Sequence, residues 1–170
     1  KKLHTLAAQS NIDISAATVI DVPHSHAAAD MAAQMAADKK IEALMKGSLH
    51  TDELIHAVVM QPGLRTGRRM SHVFRCQVPM YPKPLYITDA ALNIAPTLAE
   101  KADIVRNAID FAHVMGLAEP KVAILAAVET VNPSMPSTLD AAALCKMADR
   151  GQIKGGLLDG PLAFDNAISS

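Results

Sequence analysis

Apolar positions along this chain recur with two different spacings. In the stretches 2–9, 24–39, 97–115 and 138–150 they return every three or four residues, the period of a helix with one buried face. Between them lie short aliphatic runs bounded by Gly, Pro, Asn or Asp, the mark of buried strands. The pattern predicts strands at Thr18–Val22, Ile41–Met45, Ser71–Val78, Leu85–Thr88, Lys121–Val128 and Gly155–Leu158. Helix boundaries are written in residue chemistry. Thr51 is the expected N-cap of a helix that continues with Asp52 and Glu53. Thr97-Leu98-Ala99-Glu100 and Ser137-Thr138-Leu139-Asp140 read as capping boxes, and Gly116 and Gly151 as stops. At the end of the chain Asp159 closes a strand, Gly160 permits a tight turn, and Pro161 suits the first position of a helix.

Strands alternating with helices predict an α/β protein: helices on both faces of a mostly parallel sheet, three layers deep. Pro96 and the long helix after it mark the expected boundary between a first domain, 1–95, and a second, 96–170. Opening on a helix rather than a strand suggests that a first strand has been cut off upstream, and both domains are expected to be partial.

Composition narrows the function. Half of the 170 residues are apolar but only 3% are aromatic, so platforms for stacking bases are scarce. A net charge of −1 gives no broad attraction to nucleic acid or anionic membrane, and neither is expected as a partner. Cys76 and Cys145 lack metal-ligand spacing and read as free thiols of a cytoplasmic protein. His24 and His26 have no third ligand at a diagnostic distance, so no metal is expected. No Gly-x-Ser-x-Gly elbow is present for a serine nucleophile.

Candidate chemistry gathers where strands hand over to helices, the edge at which open α/β sheets bind ligands. Three junctions have this form: Lys46–Thr51, Glu129–Thr138 and Asp159–Pro161. In the first, Lys46 with the N–H groups of the loop can hold a phosphate, although an ordinary strand–helix turn with a solvated lysine is the plainer reading, since this is not a Walker A loop. Asp159 and Asp165 border the last, and Asp89 and Asn93 lie at another strand end. Arg65, Arg68 and Arg69 sit in a Gly- and Pro-containing loop. Their forks can meet the phosphates of a nucleotide-like ligand, although a solvated loop is the plainer reading.

Four segments in order resemble the phosphate acetyl/butyryltransferase family: Met45-Lys46-Gly47-Ser48-Leu49-His50-Thr51, Ile87-Thr88-Asp89-Ala90-Ala91-Leu92-Asn93-Ile94, Val128 to Thr138, and Asp159-Gly160-Pro161-Leu162-Ala163-Phe164-Asp165-Asn166-Ala167. The resemblance implies exchange of an acyl group between coenzyme A and inorganic phosphate. It implies two domains resembling the isocitrate and isopropylmalate dehydrogenases, a homodimer when full length, coenzyme A as substrate, and no bound cofactor. Lys46, Gly47, Ser48, His50, Thr51, Asp89, Asn93, Asn132, Ser137, Gly160, Pro161, Asp165 and Asn166 become candidate substrate-binding residues. Arg65, Arg68 and Arg69 become candidates for coenzyme A phosphate. The family's Ser-Arg-x-x-Asp segment, to which its general base is attributed, is absent from these residues. Asp159 and Glu129 are left with supporting roles, and the chain alone is expected to be inactive. Competing readings are a non-catalytic fragment or ligand-binding module of this fold, and a metal- or nicotinamide-dependent dehydrogenase. No Gly-x-Gly-x-x-Gly turn or spaced Asp set supports the last.

Overall fold

The computed structural model describes residues 2–169. Its elements are α1 (Lys2–Gln9), α2 (Ser25–Ala37), α3 (Thr51–Met60), a 3₁₀ turn (Pro62–Leu64), β1 (Phe74–Cys76), β2 (Leu85–Ile87), α4 (Leu98–Val114), β3 (Lys121–Leu125), α5 (Pro136–Asp149), β4 (Leu157–Leu162) and α6 (Phe164–Ile168). Contacts divide the chain into two compact units, one ending at Thr66 and one starting at Gly67. That division falls earlier than the expected boundary after residue 95. The reason is that the segment after Gly67 bonds to α4: Arg69 N–H donates to Asp103 Oδ2 at 3.0 Å, and Asn107 Nδ2 donates to Arg69 O at 2.8 Å.

In the first unit α2 packs on α3 through small residues. Ala29 and Ala33 of α2 meet Ala57 of α3, all nearly fully buried, and Leu49, Leu54, Val58 and Leu64 close around them. The strands expected at Thr18–Val22 and Ile41–Met45 do not form; Ile20 is 48% exposed and Met45 99%. A lone extended segment has no ladder partner for its N–H and C=O groups, and no strand lies elsewhere among the described residues of this unit.

The second unit is built on α4 and α5. Ala102, Val105 and Ile109 of α4, Leu144 of α5 and Ile153 make its core, with Val122, Ile124 and Leu158 of the strands packed against it. α4 begins where the sequence places it. Thr97 Oγ1 accepts from Glu100 N–H, and Glu100 Oε2 accepts from Thr97 N–H at 2.8 Å. Gly116 follows its end in the left-handed region, φ +87°, as a helix stop requires. α5 starts differently from expectation. Pro136, with its fixed φ, takes the first helical position after Met135, so Ser137 lies inside the helix and caps nothing.

The strands form two small sheets: β1 pairs antiparallel with β2, and β3 pairs parallel with β4. The chain is thus α/β, but a single mostly parallel sheet in three layers is absent among the described residues. β3, read as a sheet interior, shows Val122 and Ile124 to the core and Lys121, Ala123 and Leu125 to the outside.

The largest correction concerns Asp159-Gly160-Pro161. The strand does not end there. β4 runs through all three to Leu162, whose carbonyl accepts from Ala126 N–H at 2.9 Å, and the Gly160–Pro161 bond is cis. α6 then starts at Phe164 after Ala163, not at Pro161. Gly160 serves a close approach rather than a turn. A Cβ there would lie 2.7 Å from Ile124 O and 2.8 Å from Ile124 Cβ.

Candidate functional site

In the first unit the Lys46 loop precedes α3 and is held by its own lysine. Lys46 Nζ donates to Leu49 O at 3.0 Å and reaches Gly47 O at 3.5 Å. No strand leads into it, contrary to the strand–loop–helix layout expected. His50, not Thr51, is the N-cap of α3, and its side chain makes no capping bond; Thr51 is the first helical residue. Nothing lies within 4 Å of where a Gly47 Cβ would be, so the loop is open on that side.

Ser48 and His50 line a cavity of about 300 Å³ together with Leu49, Ser25, Ala28 and Glu53. Ser25 and Ala28 belong to the first turn of α2, so the starts of two helices border one space. Such starts carry free N–H groups and a partial positive charge. Glu53 is fixed across the gap: Ser25 Oγ donates to its Oε1 at 3.4 Å, and His26 Nε2 lies 3.1 Å from the same oxygen. His24 caps α2, its Nδ1 accepting from Ala27 N–H at 3.2 Å. His24 therefore serves the helix start, and His26 ties α2 to Glu53 of α3. Among the described residues, no three of His, Cys, Asp and Glu are placed to hold a metal ion. Ser25 was not singled out in the sequence, and Glu53 only as an acidic residue in the first turn of α3.

In the second unit Asp89 is the centre of a clasp. Its carboxylate accepts from the backbone N–H groups of His72 (3.3 Å), Ala91 (3.2 Å), Leu92 (3.3 Å) and Asn93 (3.0 Å), and from the Asn93 side chain. Burial pushes this carboxyl up, but the bonds from Asn93, Ala91, Leu92 and His72 together outweigh it and hold the group below the usual range. Asn93 passes the tie on, accepting from Arg69 Nε at 2.6 Å and donating to Met70 O at 3.0 Å. Asp89 and Asn93 thus have their polar atoms engaged within the protein.

Of the candidates around the strand ends, Glu129, Asn132, Asp159, Asp165 and Asn166 are exposed. Glu129 accepts from Asn166 Nδ2, joining two of them. Asn132 shapes its loop: its Oδ1 accepts from Ser134 N–H at 2.9 Å, and its N–H donates to Thr138 Oγ1 at 2.9 Å. Asp159 Oδ1 accepts from Gly160 N–H at 2.9 Å. Nearby Cys145 donates to Gly160 O at 3.6 Å, and burial, then the charges of Asp159 and Asp149, push its thiol up. Ser137 is on α5, Pro161 is buried in β4, and Asp165 lies in the first turn of α6.

The three loop arginines make separate contacts. Arg65 Nε donates to Val59 O at 2.8 Å. Arg69 is committed to Asn93 and, at 3.2 Å, to Glu100. Arg68 lies 2.5 Å from Asp110 and borders a different cavity. No described helix is long and apolar enough to cross a membrane.

The family profile "Phosphate acetyl/butaryl transferase" matches residues 3–170. The phosphate acetyltransferase of Rhizobium meliloti is 58% identical over 168 residues, 98% of this chain and 53% of that protein. The phosphate butyryltransferase of Clostridium acetobutylicum is 43% identical over 166 residues, 97% of this chain and 55% of that protein. Among solved structures, a branched-chain phosphotransacylase from Enterococcus faecalis V583 superposes with a TM-score of 0.75 at 32% identity, over 86% of this chain and 52% of that one. The chain spans about half the length of the curated relatives it matches.

Proposed function

Because the chain belongs to the phosphate acetyl/butaryl transferase family, we propose that it forms part of an enzyme that exchanges a short acyl group between coenzyme A and inorganic phosphate. The observation that carries this reading is the family match along almost the whole chain, with 58% identity to a phosphate acetyltransferase. In the acyl-phosphate-forming direction, a phosphate oxygen attacks the thioester carbonyl, a C–O bond forms, the C–S bond breaks, and the coenzyme thiolate leaves and takes up a proton. The acyl phosphate and free coenzyme A are the products.

The reaction needs positive charge and N–H donors for phosphate. The Lys46 loop and the start of α3 supply both, with Ser48, His50 and Thr51 at hand. It needs preorganised donors for the oxyanion at the acyl carbon. It also needs a group to exchange the thiol proton, since the thiolate is the nucleophile in reverse. The resemblance attributes that last role to the Ser-Arg-x-x-Asp segment, so the base is proposed to lie outside residues 1–170. Asp159 and Glu129 act as positioning groups through Gly160 and Asn166. The full-length fold is proposed to be that of the isocitrate and isopropylmalate dehydrogenases, assembled as a cytoplasmic homodimer. Neither the dehydrogenase nor the non-catalytic reading is favoured by the relatives found.

Lys46→Ala in the full-length enzyme is expected to raise KM for phosphate about tenfold, the loss of one charge-assisted contact. KM for the acyl thioester should change much less. Equal KM values for phosphate in variant and parent remove Lys46 from the site. For Asp159, the bond to Gly160 N–H survives in Asp159→Asn, so that variant should keep part of the activity and Asp159→Ala markedly less. If Asn loses as much kcat as Ala with folding intact, the charge itself is required and the positioning role is wrong.

A further inference from the structure

We propose that the second unit carries a site for a small phosphoryl anion, formed by Arg68, Arg106 and Lys154 and separate from Glu129, Asp165 and Asn166. These side chains line a cavity of about 280 Å³ with Asp110, Gly151 and Gln152. Both guanidinium groups are fixed before any ligand arrives. Arg106 donates through Nη1 to Asp103 Oδ1 at 2.8 Å and through Nη2 to Gln152 O at 3.0 Å. Arg68 Nη1 is held by Asp110 Oδ2 at 2.5 Å. Lys154 is different: it is exposed and makes neither hydrogen bond nor ion pair among the described residues. Three cations thus face two carboxylates, Asp103 and Asp110, and the excess positive charge rests on the lysine with no partner.

Fixed arginine forks beside a free ammonium match the oxygens of a phosphoryl group, which take forked donors and a point charge together. At about 280 Å³ the cavity lies just below the ~300–1,000 Å³ usual for small-molecule sites, which favours a diphosphate or a phosphorylated short-chain acid over a nucleoside. Its place in the fold separates it from the reaction. Gly151, Gln152 and Lys154 come between α5 and the start of β4, whereas Glu129, Asp165 and Asn166 follow the ends of β3 and β4. Because these strands are parallel, the two groups sit at opposite ends of the sheet. The inference does not depend on the acyltransferase reading.

Inorganic pyrophosphate is the probe, titrated calorimetrically into the full-length protein at constant ionic strength. One saturable site is expected. Its Kd should rise at least about tenfold in Lys154→Gln, the worth of one charge-assisted contact, and recover in Lys154→Arg. Lys154→Gln removes no hydrogen bond or ion pair among the described residues, so its unliganded melting curve should match the parent's. The affinity should be unchanged in Glu129→Gln, at the opposite end of the β3–β4 sheet, and in saturating coenzyme A. The absence of saturable binding, equal affinity in Lys154→Gln, loss in Glu129→Gln, or competition by coenzyme A would each overturn the proposal.

Discussion

Asp89→Ala is expected to destabilise the second unit by about 2–3 kcal/mol, the cost of leaving several half-buried N–H donors without their charged acceptor. The carboxylate accepts four backbone N–H groups and one side-chain amide, and it fixes the turn that follows β2. Bonds to a charged acceptor are each worth roughly 1.5–3 kcal/mol, reduced here because the group is only partly buried. Without it those donors compete for water in a half-buried place, and Asn93 loses the anchor through which it holds Arg69. Asp89→Asn keeps one acceptor oxygen and should recover part of the loss. The sign of the pH effect follows from the lowered carboxyl. A depressed folded-state pKa gives stabilisation that is complete above the ordinary carboxylate value of about 3.9 and disappears as pH falls through the folded value. Urea midpoints should therefore differ widely between parent and Asp89→Ala at neutral pH and converge in acid. Identical midpoints at pH 7 would show that the clasp contributes nothing.

Gly160→Val is expected to cost about 3 kcal/mol or more, the upper range for forced overpacking. The atoms a Cβ would meet, Ile124 O at 2.7 Å and Ile124 Cβ at 2.8 Å, belong to the backbone and first side-chain carbon of the paired strand. Neither can rotate away. The strands must part, and with them Leu162 O leaves Ala126 N–H and Asp159 loses its place beside Gly160. Gly160→Ala should follow with a smaller loss. Gly47→Ala is the control: open space surrounds that position, so its effect should stay within about 0.5 kcal/mol. Thermal unfolding of the three variants checks the order. A Gly160→Val protein as stable as Gly47→Ala would mean that β3 and β4 do not approach as described.

The helices were legible because their signals are local. The Thr97–Glu100 box, the stops at Gly116 and Gly151, and the alanine-rich stretch of α2 all act within one or two turns of chain. Strands depend on distant partners, and there local reading failed. Val19 and Ile20 have the composition of a strand but no neighbour to complete it. Gly160-Pro161 has the composition of a turn, yet pairing with β3 carries the strand through it. The same division holds for the site. The Lys46 loop is visible as a run of polar residues before a helix. Ser25 and Glu53 are not, because only the packing of α2 on α3 brings them together. For Asp89 the position was readable and the role was not: a carboxylate after a strand looks alike whether it faces a ligand or its own turn.

The central claim is that these residues are part of a phosphate acyltransferase. It is tested by incubating the full-length protein with acetyl- or butyryl-coenzyme A and inorganic phosphate, then measuring acyl phosphate and free thiol together, with residues 1–170 assayed in parallel. The account predicts equal amounts of both products from the full-length protein, strictly dependent on phosphate. From the 1–170 chain alone it predicts none, because proton transfer by a base outside that range contributes typically ~100- to 10,000-fold. Thiol release by the full-length protein that does not require phosphate, or no turnover of either thioester, would contradict it.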